Sequence, residues 1–132
     1  MDAALVAVGA AGGALARWRI STTSTLPTYA SIAAINVSGS LALGIMAGHY
    51  MSAPTTDLHV THARPRLVLL ACTGFLGSFT TFSTFSLDVV TLLQQGAILR
   101  AAAIALGTPA LGVGAASAGL AIGRVLRDAK PR

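Results

Sequence analysis

The residues of this 132-residue chain with the most chemical content lie in one short run, residues 78–86. Six of these nine residues carry hydroxyl groups, and all four phenylalanines of the chain lie between Phe75 and Phe85. Serine and threonine compete for backbone hydrogen bonds, and glycine weakens a helix. We therefore predict that a helix is broken near residues 77–81, where free backbone carbonyls would suit a small hard cation.

Two of the phenylalanines, Phe82 and Phe85, are three residues apart and so lie on neighbouring parts of one helical face. A phenyl ring has a negative face and a positive edge, so two ring edges can flank an anion. The alternative is that the rings only pack and that the hydroxyls bond back to their own helix. The spacing leaves both interpretations open.

Asn36 is the second unusual residue, because its amide lies early in an otherwise apolar segment. A buried amide in hydrocarbon needs hydrogen-bond partners, and its NH2 group has two donors. Asn36 would then either hold helices together or donate to a passing anion. The sequence leaves this choice open as well.

The segments that position these residues are apolar. Hydrophobic residues make up 54% of the chain and charged residues 10%, against about 25% charged residues in soluble domains. A membrane helix needs about 20 mostly apolar residues. We predict an all-α membrane protein, a single domain of residues 1–132, with helices near 3–20, 32–51, 67–93 and 101–123. The third helix is broken near its middle, and Arg17 near the end of the first must snorkel or face a wet interior.

The basic residues, which give a net charge of +5, lie between and after the apolar runs. This placement indicates contact with lipid headgroups and not with nucleic acid. Four crossings put both termini and the second loop on one side, which the positive-inside rule makes cytoplasmic. The nine basic residues divide into Arg64, Arg66, Arg124, Arg127, Lys130 and Arg132 on that side and Arg17, Arg19 and Arg100 on the other.

Small residues recur four apart at Gly9 and Gly13, at Gly44 and Gly48, and at Gly119 and Gly123. Such pairs let membrane helices approach closely. They would pack helices within one subunit or form a seam between two subunits, and the pattern does not distinguish these. The lone Cys72, inside an apolar run, is interpreted as a small hydrophobic residue.

Three blocks of residues together make the chain similar to a known family. It resembles the Fluc (CrcB) family of bacterial fluoride channels in residues 13–17 (GALAR), 36–40 (NVSGS) and 77–85 (GSFTTFSTF). The number and length of the apolar segments agree with that family. The resemblance implies passive channels of the bacterial inner membrane, assembled as antiparallel dimers, that export fluoride and confer fluoride resistance.

The resemblance also implies residue roles. Gly77 and Thr80 would give backbone carbonyls to a structural sodium ion on the dimer axis. Ring edges and neutral donors would line the fluoride pathway, with Arg17 attracting anions at its vestibule. The expected pathway residues are Asn36, Phe82, Ser83, Thr84 and Phe85. The family also has a pore hydroxyl on its fourth helix, for which Thr108 and Ser117 are candidates.

The uneven basic residues bear on assembly, because a chain that inserts both ways needs nearly balanced loops. One hypothesis is therefore a fixed orientation and pairing with a homologous chain of opposite bias; the other is self-pairing.

Two further alternatives are a proton-coupled multidrug exporter, which needs an embedded carboxylate, and a non-conducting subunit. The sequence shows no nucleophile–base pair of the kind that an enzyme active site needs. Asp57, His59 and His62 are too loosely spaced to indicate a metal site.

Overall fold

Four apolar helices with one broken member make up the fold. The computed structural model describes residues 2–50 and 65–129, and over these ranges four helices are long and apolar enough to cross a membrane. The predicted four-helix membrane architecture is therefore confirmed. Helix α1 is Asp2–Thr23 and α2 is Thr28–Tyr50. The third span consists of α3, residues 65–79, and α4, Phe82–Gln94, and the fourth is α5, Ile98–Asp128.

The helices extend beyond the apolar cores that hydropathy locates. Helix α5 runs to Asp128 and passes through Pro109 without ending. Short turns join α1 to α2 and α4 to α5. Pro27, which precedes α2, accepts hydrogen bonds from the backbone N–H groups of Ala30 and Ser31. Gly96 takes φ 74° between α4 and α5, a backbone conformation that glycine adopts without steric cost.

Within α3, the segment Leu69–Leu76 is a π-helix. It packs against α1 through Gly9 and Gly13, where the two backbones come so close that no side chain fits. A Cβ atom added at Gly9 would meet the carbonyl oxygen of Leu70, and one at Gly13 would meet that of Phe75. The first glycine pair therefore serves packing within the subunit.

Helices α2 and α5 form the second close seam. An added Cβ at Gly44 would meet the carbonyl oxygen of Ala116, and one at Gly48 would meet that of Leu120. Gly119 and Gly123 approach α2 equally closely from the other side. All three glycine pairs thus bring helices of one subunit together, as close membrane packing requires.

This seam makes a stability prediction. Gly119→Ala would place its Cβ against the carbonyl oxygen of Leu41 and 2.9 Å from the backbone nitrogen of Ile45. Because both are backbone atoms, the helices must separate, and we expect a loss of about 1–3 kcal/mol in stability. Gly114→Ala is the control, since its Cβ would meet nothing within 4 Å. The melting temperatures of the detergent-solubilised variants test this, and equal values would contradict it.

Candidate functional site

The helix break that the hydroxyl run predicts is present at residues 80 and 81. Thr80 has φ −76° and ψ 155°, and Thr81 has φ −148° and ψ 125°, so both leave the helical conformation. The end of α3 is closed by Thr80, whose backbone N–H and hydroxyl both donate to the carbonyl of Leu76, at 3.1 Å and 3.0 Å. Backbone in this conformation at membrane depth is stable only where the protein satisfies its polar groups.

Asn36 satisfies them. Its Nδ2 donates to the carbonyl oxygen of Thr81 at 3.0 Å, and its Oδ1 accepts from the backbone N–H of Thr81 at 2.9 Å. The amide therefore replaces both hydrogen bonds that helix continuation would have given that residue. Of the two roles open to Asn36, the structure shows the helix-holding one, and one Nδ2–H remains beyond the two bonds of this clasp.

The clasp also frees a carbonyl group. In a continuous helix the N–H of Thr81 would donate to the carbonyl of Gly77, four residues earlier. Here that N–H donates to Asn36 instead. The carbonyl of Thr80 is outside the helical ladder as well, because ψ at Thr80 is 155°. Gly77 and Thr80 thus present oxygens of the kind that a hard cation such as sodium takes.

The hydroxyl of Thr81 organises the start of α4. As the N-cap, it accepts from the backbone N–H of Thr84 at 3.2 Å. It also lies 3.2 Å from the hydroxyls of both Ser83 and Thr84. The candidate residues Ser83 and Thr84 are thus linked through Thr81, which sequence reasoning did not single out. The preference of threonine for N-cap positions is the signal that would have found it.

Two grooves meet beside the break. The first, the break groove, has a volume of about 300 Å³, and the second, the aromatic groove, about 410 Å³. Three residues, Asn36, Ser40 and Phe82, line both. The break groove adds Gly77, Thr80, Thr81 and Cys72, and the aromatic groove adds Phe85, Thr108, Pro109 and Gly112. None of the described residues that line either groove is charged.

The four phenylalanines divide into two pairs. Phe75 and Phe79 are stacked, with ring centroids 5.7 Å apart, and Phe75 lies against Gly12 of α1. Phe82 and Phe85 also have centroids 5.7 Å apart, at an interplanar angle of 38°, but they line the aromatic groove. The first pair packs within the subunit, whereas the Phe82 side chain is 79% exposed in the isolated subunit.

Arg17 lies in a separate pocket. This pocket of about 340 Å³ is lined by Arg17, Ser21, Thr28 and Thr84 among others. Arg17 and Thr84 therefore border one pocket. Ser83 lines neither this pocket nor the two grooves.

The fourth helix contributes one of its two candidate hydroxyl residues. Thr108 is buried and lines the aromatic groove together with Asn36 and Phe82, while Ser117 is exposed outside it. Asp57, His59 and His62 lie outside the described residues. Among the residues that are described, no group of three or more His, Cys, Asp or Glu side chains is placed to hold a metal.

Comparison with known proteins gives a consistent result. Residues 4–120 match the family described as CrcB-like protein, Camphor Resistance (CrcB). The chain is 40% identical to the "Fluoride-specific ion channel FluC" of Rhodopseudomonas palustris (strain BisB5), covering 92% of this chain and 96% of the relative. It is 38% identical to "Fluoride-specific ion channel FluC 2" of Synechococcus sp. (strain CC9902), over 93% and 80%. The identity to the FluC of Paracoccus denitrificans (strain Pd 1222) is 36%, over 92% and 93%.

Proposed function

The chain belongs to the CrcB family, and from that premise we propose that it is a fluoride-specific ion channel. The observation that carries this function is the aromatic groove, which Phe82 and Phe85 line together with Asn36 and Thr108. The four-helix membrane fold is the setting that such a pathway requires.

The chemistry of the aromatic groove suits a small anion. Fluoride is strongly hydrated, so removing its water must be offset by several donors and positive ring edges. Binding must also be weak enough at each place for the ion to leave. Neutral groups meet both needs, and no carboxylate of the described chain lines either groove. This favours passive conduction over proton-coupled drug export, which needs an embedded acid, and over catalysis.

We assign pathway roles on this basis. Phe82 and Phe85 provide ring edges and Asn36 a donor beside its clasp. Ser83 and Thr84 line neither groove, and their proposed role is that of hydroxyls near the start of α4, linked to the break through Thr81. Arg17 attracts anions from the aqueous side. The placement of Arg17 and Thr84 in one pocket supports the vestibule role, since the pocket contains both a positively charged residue and a residue of the hydroxyl run.

The second part of the proposal concerns assembly. Both grooves are open on the surface of a single subunit, and Phe82 is largely exposed, so one chain does not enclose a pathway. An antiparallel dimer in the bacterial inner membrane, formed with a second copy or with a homologous subunit, closes them. Reporter fusions at the C-terminus found equally on both sides of the membrane would favour a second copy and exclude a fixed orientation.

A structural sodium ion at the dimer axis fits the carbonyls that the break releases. Gly77 and Thr80 of each subunit would supply backbone oxygens, and the ion would neutralise these dipoles where two breaks meet. We expect fluoride efflux to fall when the protein is purified without sodium, in N-methylglucamine buffer, and to recover when sodium is added. Unchanged efflux throughout would remove the sodium from the proposal.

The function is tested by fluoride efflux from liposomes that contain the purified wild-type protein alone, with chloride efflux as the control. A channel predicts rapid fluoride release and no chloride release. If well-folded protein releases no fluoride, co-expression with a homologous subunit separates an obligate pair from a wrong assignment. Release of both anions at similar rates would contradict fluoride selectivity.

A further inference from the structure

Ser40 has a position that none of the roles above uses. It lies on α2 one helical turn after Asn36, and it is one of only three described residues, with Asn36 and Phe82, that line both the break groove and the aromatic groove. A residue shared by two grooves lies where they meet. An ion in either groove can therefore come next to Ser40.

The hydroxyl of Ser40 differs in its hydrogen bonding from the hydroxyl of Ser38 on the same helix. Serine in a membrane helix ordinarily bonds back to a carbonyl of the preceding turn. Ser38 does so, donating to the carbonyl of Ile35 at 3.1 Å. Ser40 has no hydrogen-bond partner within residues 2–50 and 65–129. The hydroxyl of Ser40 is therefore free to donate a hydrogen bond, in a membrane segment where contact with lipid does not favour a polar group.

The facing helix leaves this hydroxyl uncovered. Opposite Ser40 on α5 stands Gly112, and a Cβ atom added there would lie 3.4 Å from Ser40 Oγ. A Cβ at that distance would be in ordinary van der Waals contact with the hydroxyl. Gly112 itself lines the aromatic groove. With glycine at this position, residue 112 has no side chain to cover the hydroxyl.

We propose that Ser40 is a further specificity-determining residue, whose hydroxyl donates to fluoride where the two grooves meet. This inference rests on the proposed function. A hydrogen bond to an anion is about twice as strong as one between neutral groups, and a free hydroxyl can turn its proton towards the ion. Ser40 would hold the ion beside Asn36, between the break groove and the aromatic groove.

The test compares fluoride efflux of Ser40→Ala with that of Ser38→Ala, the matched control on the same helix. We expect Ser40→Ala to slow fluoride efflux about tenfold, because a donor to a charged ligand is lost. Ser38→Ala, which removes only a bond back to its own helix, should conduct like the wild type. Both variants should keep the elution volume and melting temperature of the wild type.

A second pair of variants separates the hydroxyl from the shape of the side chain. Ser40→Thr and Ser40→Val have nearly the same size, so any crowding against Gly112 is common to both. The threonine variant should conduct about tenfold faster than the valine variant if the donor matters. Equal efflux from threonine and valine, or wild-type efflux from Ser40→Ala, would overturn the inference. Wild-type efflux in the same preparation reports on the proposed function independently.

Discussion

Replacing Asn36 by leucine is expected to abolish fluoride efflux and to lower the stability of the protein. The change keeps the size of the side chain but removes both hydrogen bonds to Thr81. Each backbone group left unpaired away from water costs about 1–3 kcal/mol. The break would then shift towards a continuous helix or open locally, and the carbonyls of Gly77 and Thr80 would lose their placement.

Asn36→Asp sharpens this prediction. An ionised aspartate can still accept from the N–H of Thr81, but it has no donor for the carbonyl, and its second oxygen faces that carbonyl instead. Both variants should therefore fail in efflux. Melting temperature in detergent and efflux from liposomes are the two measurements, with Ser38→Ala as the control on α2. An Asn36→Leu protein with wild-type melting temperature and conduction would show that the clasp is dispensable.

Replacing Phe82 by isoleucine is expected to abolish fluoride efflux while leaving the subunit fold intact. The ring is 79% exposed in the subunit, so its loss removes little intramolecular packing. What is lost is an aromatic ring, with its positive edge, that lines the groove beside Phe85. An aliphatic side chain of similar bulk has no such edge, and the ion would find an apolar wall where it needs partial positive charge.

The control for this change is Leu87→Ile on the same helix. Leu87 is also a large exposed apolar residue, at 64%, and it lines neither groove. Its replacement should leave efflux unchanged. Chemical cross-linking in liposomes reports whether each variant still assembles, since the exposed face of Phe82 is a candidate subunit contact. Full fluoride efflux from an assembled Phe82→Ile protein would remove the ring from the pathway.

The two changes predict different patterns of loss. Asn36 acts through the backbone of Thr81, so its removal should affect stability and efflux together. Phe82 lies in the groove itself, so its removal should affect efflux alone. If Phe82→Ile also lowered the melting temperature markedly, its ring would be interpreted as packing at a subunit interface.

Hydropathy and local chemistry determined a large part of this protein. Runs of uncharged residues identify membrane helices because hydrocarbon excludes charge. The helix break was equally predictable, because the crowding of hydroxyls and glycine around residues 77–81 opposes helix locally. The proximity of Phe82 and Phe85 followed from helical spacing alone. Each of these features depends on residues close together in the chain.

Tertiary structure decided which residues these contact. Asn36 and Thr81 are 45 positions apart, so no local pattern distinguishes an amide that holds the break from one that binds an ion. Likewise, glycine pairs record that helices approach closely but not which helix approaches, and only packing showed that α2 meets α5. The hydroxyl of Ser40 lies beside Gly112 of another helix, which its position in the sequence does not reveal. Which residues or helices contact each other depends on positions far apart in the chain, so only the three-dimensional structure shows it.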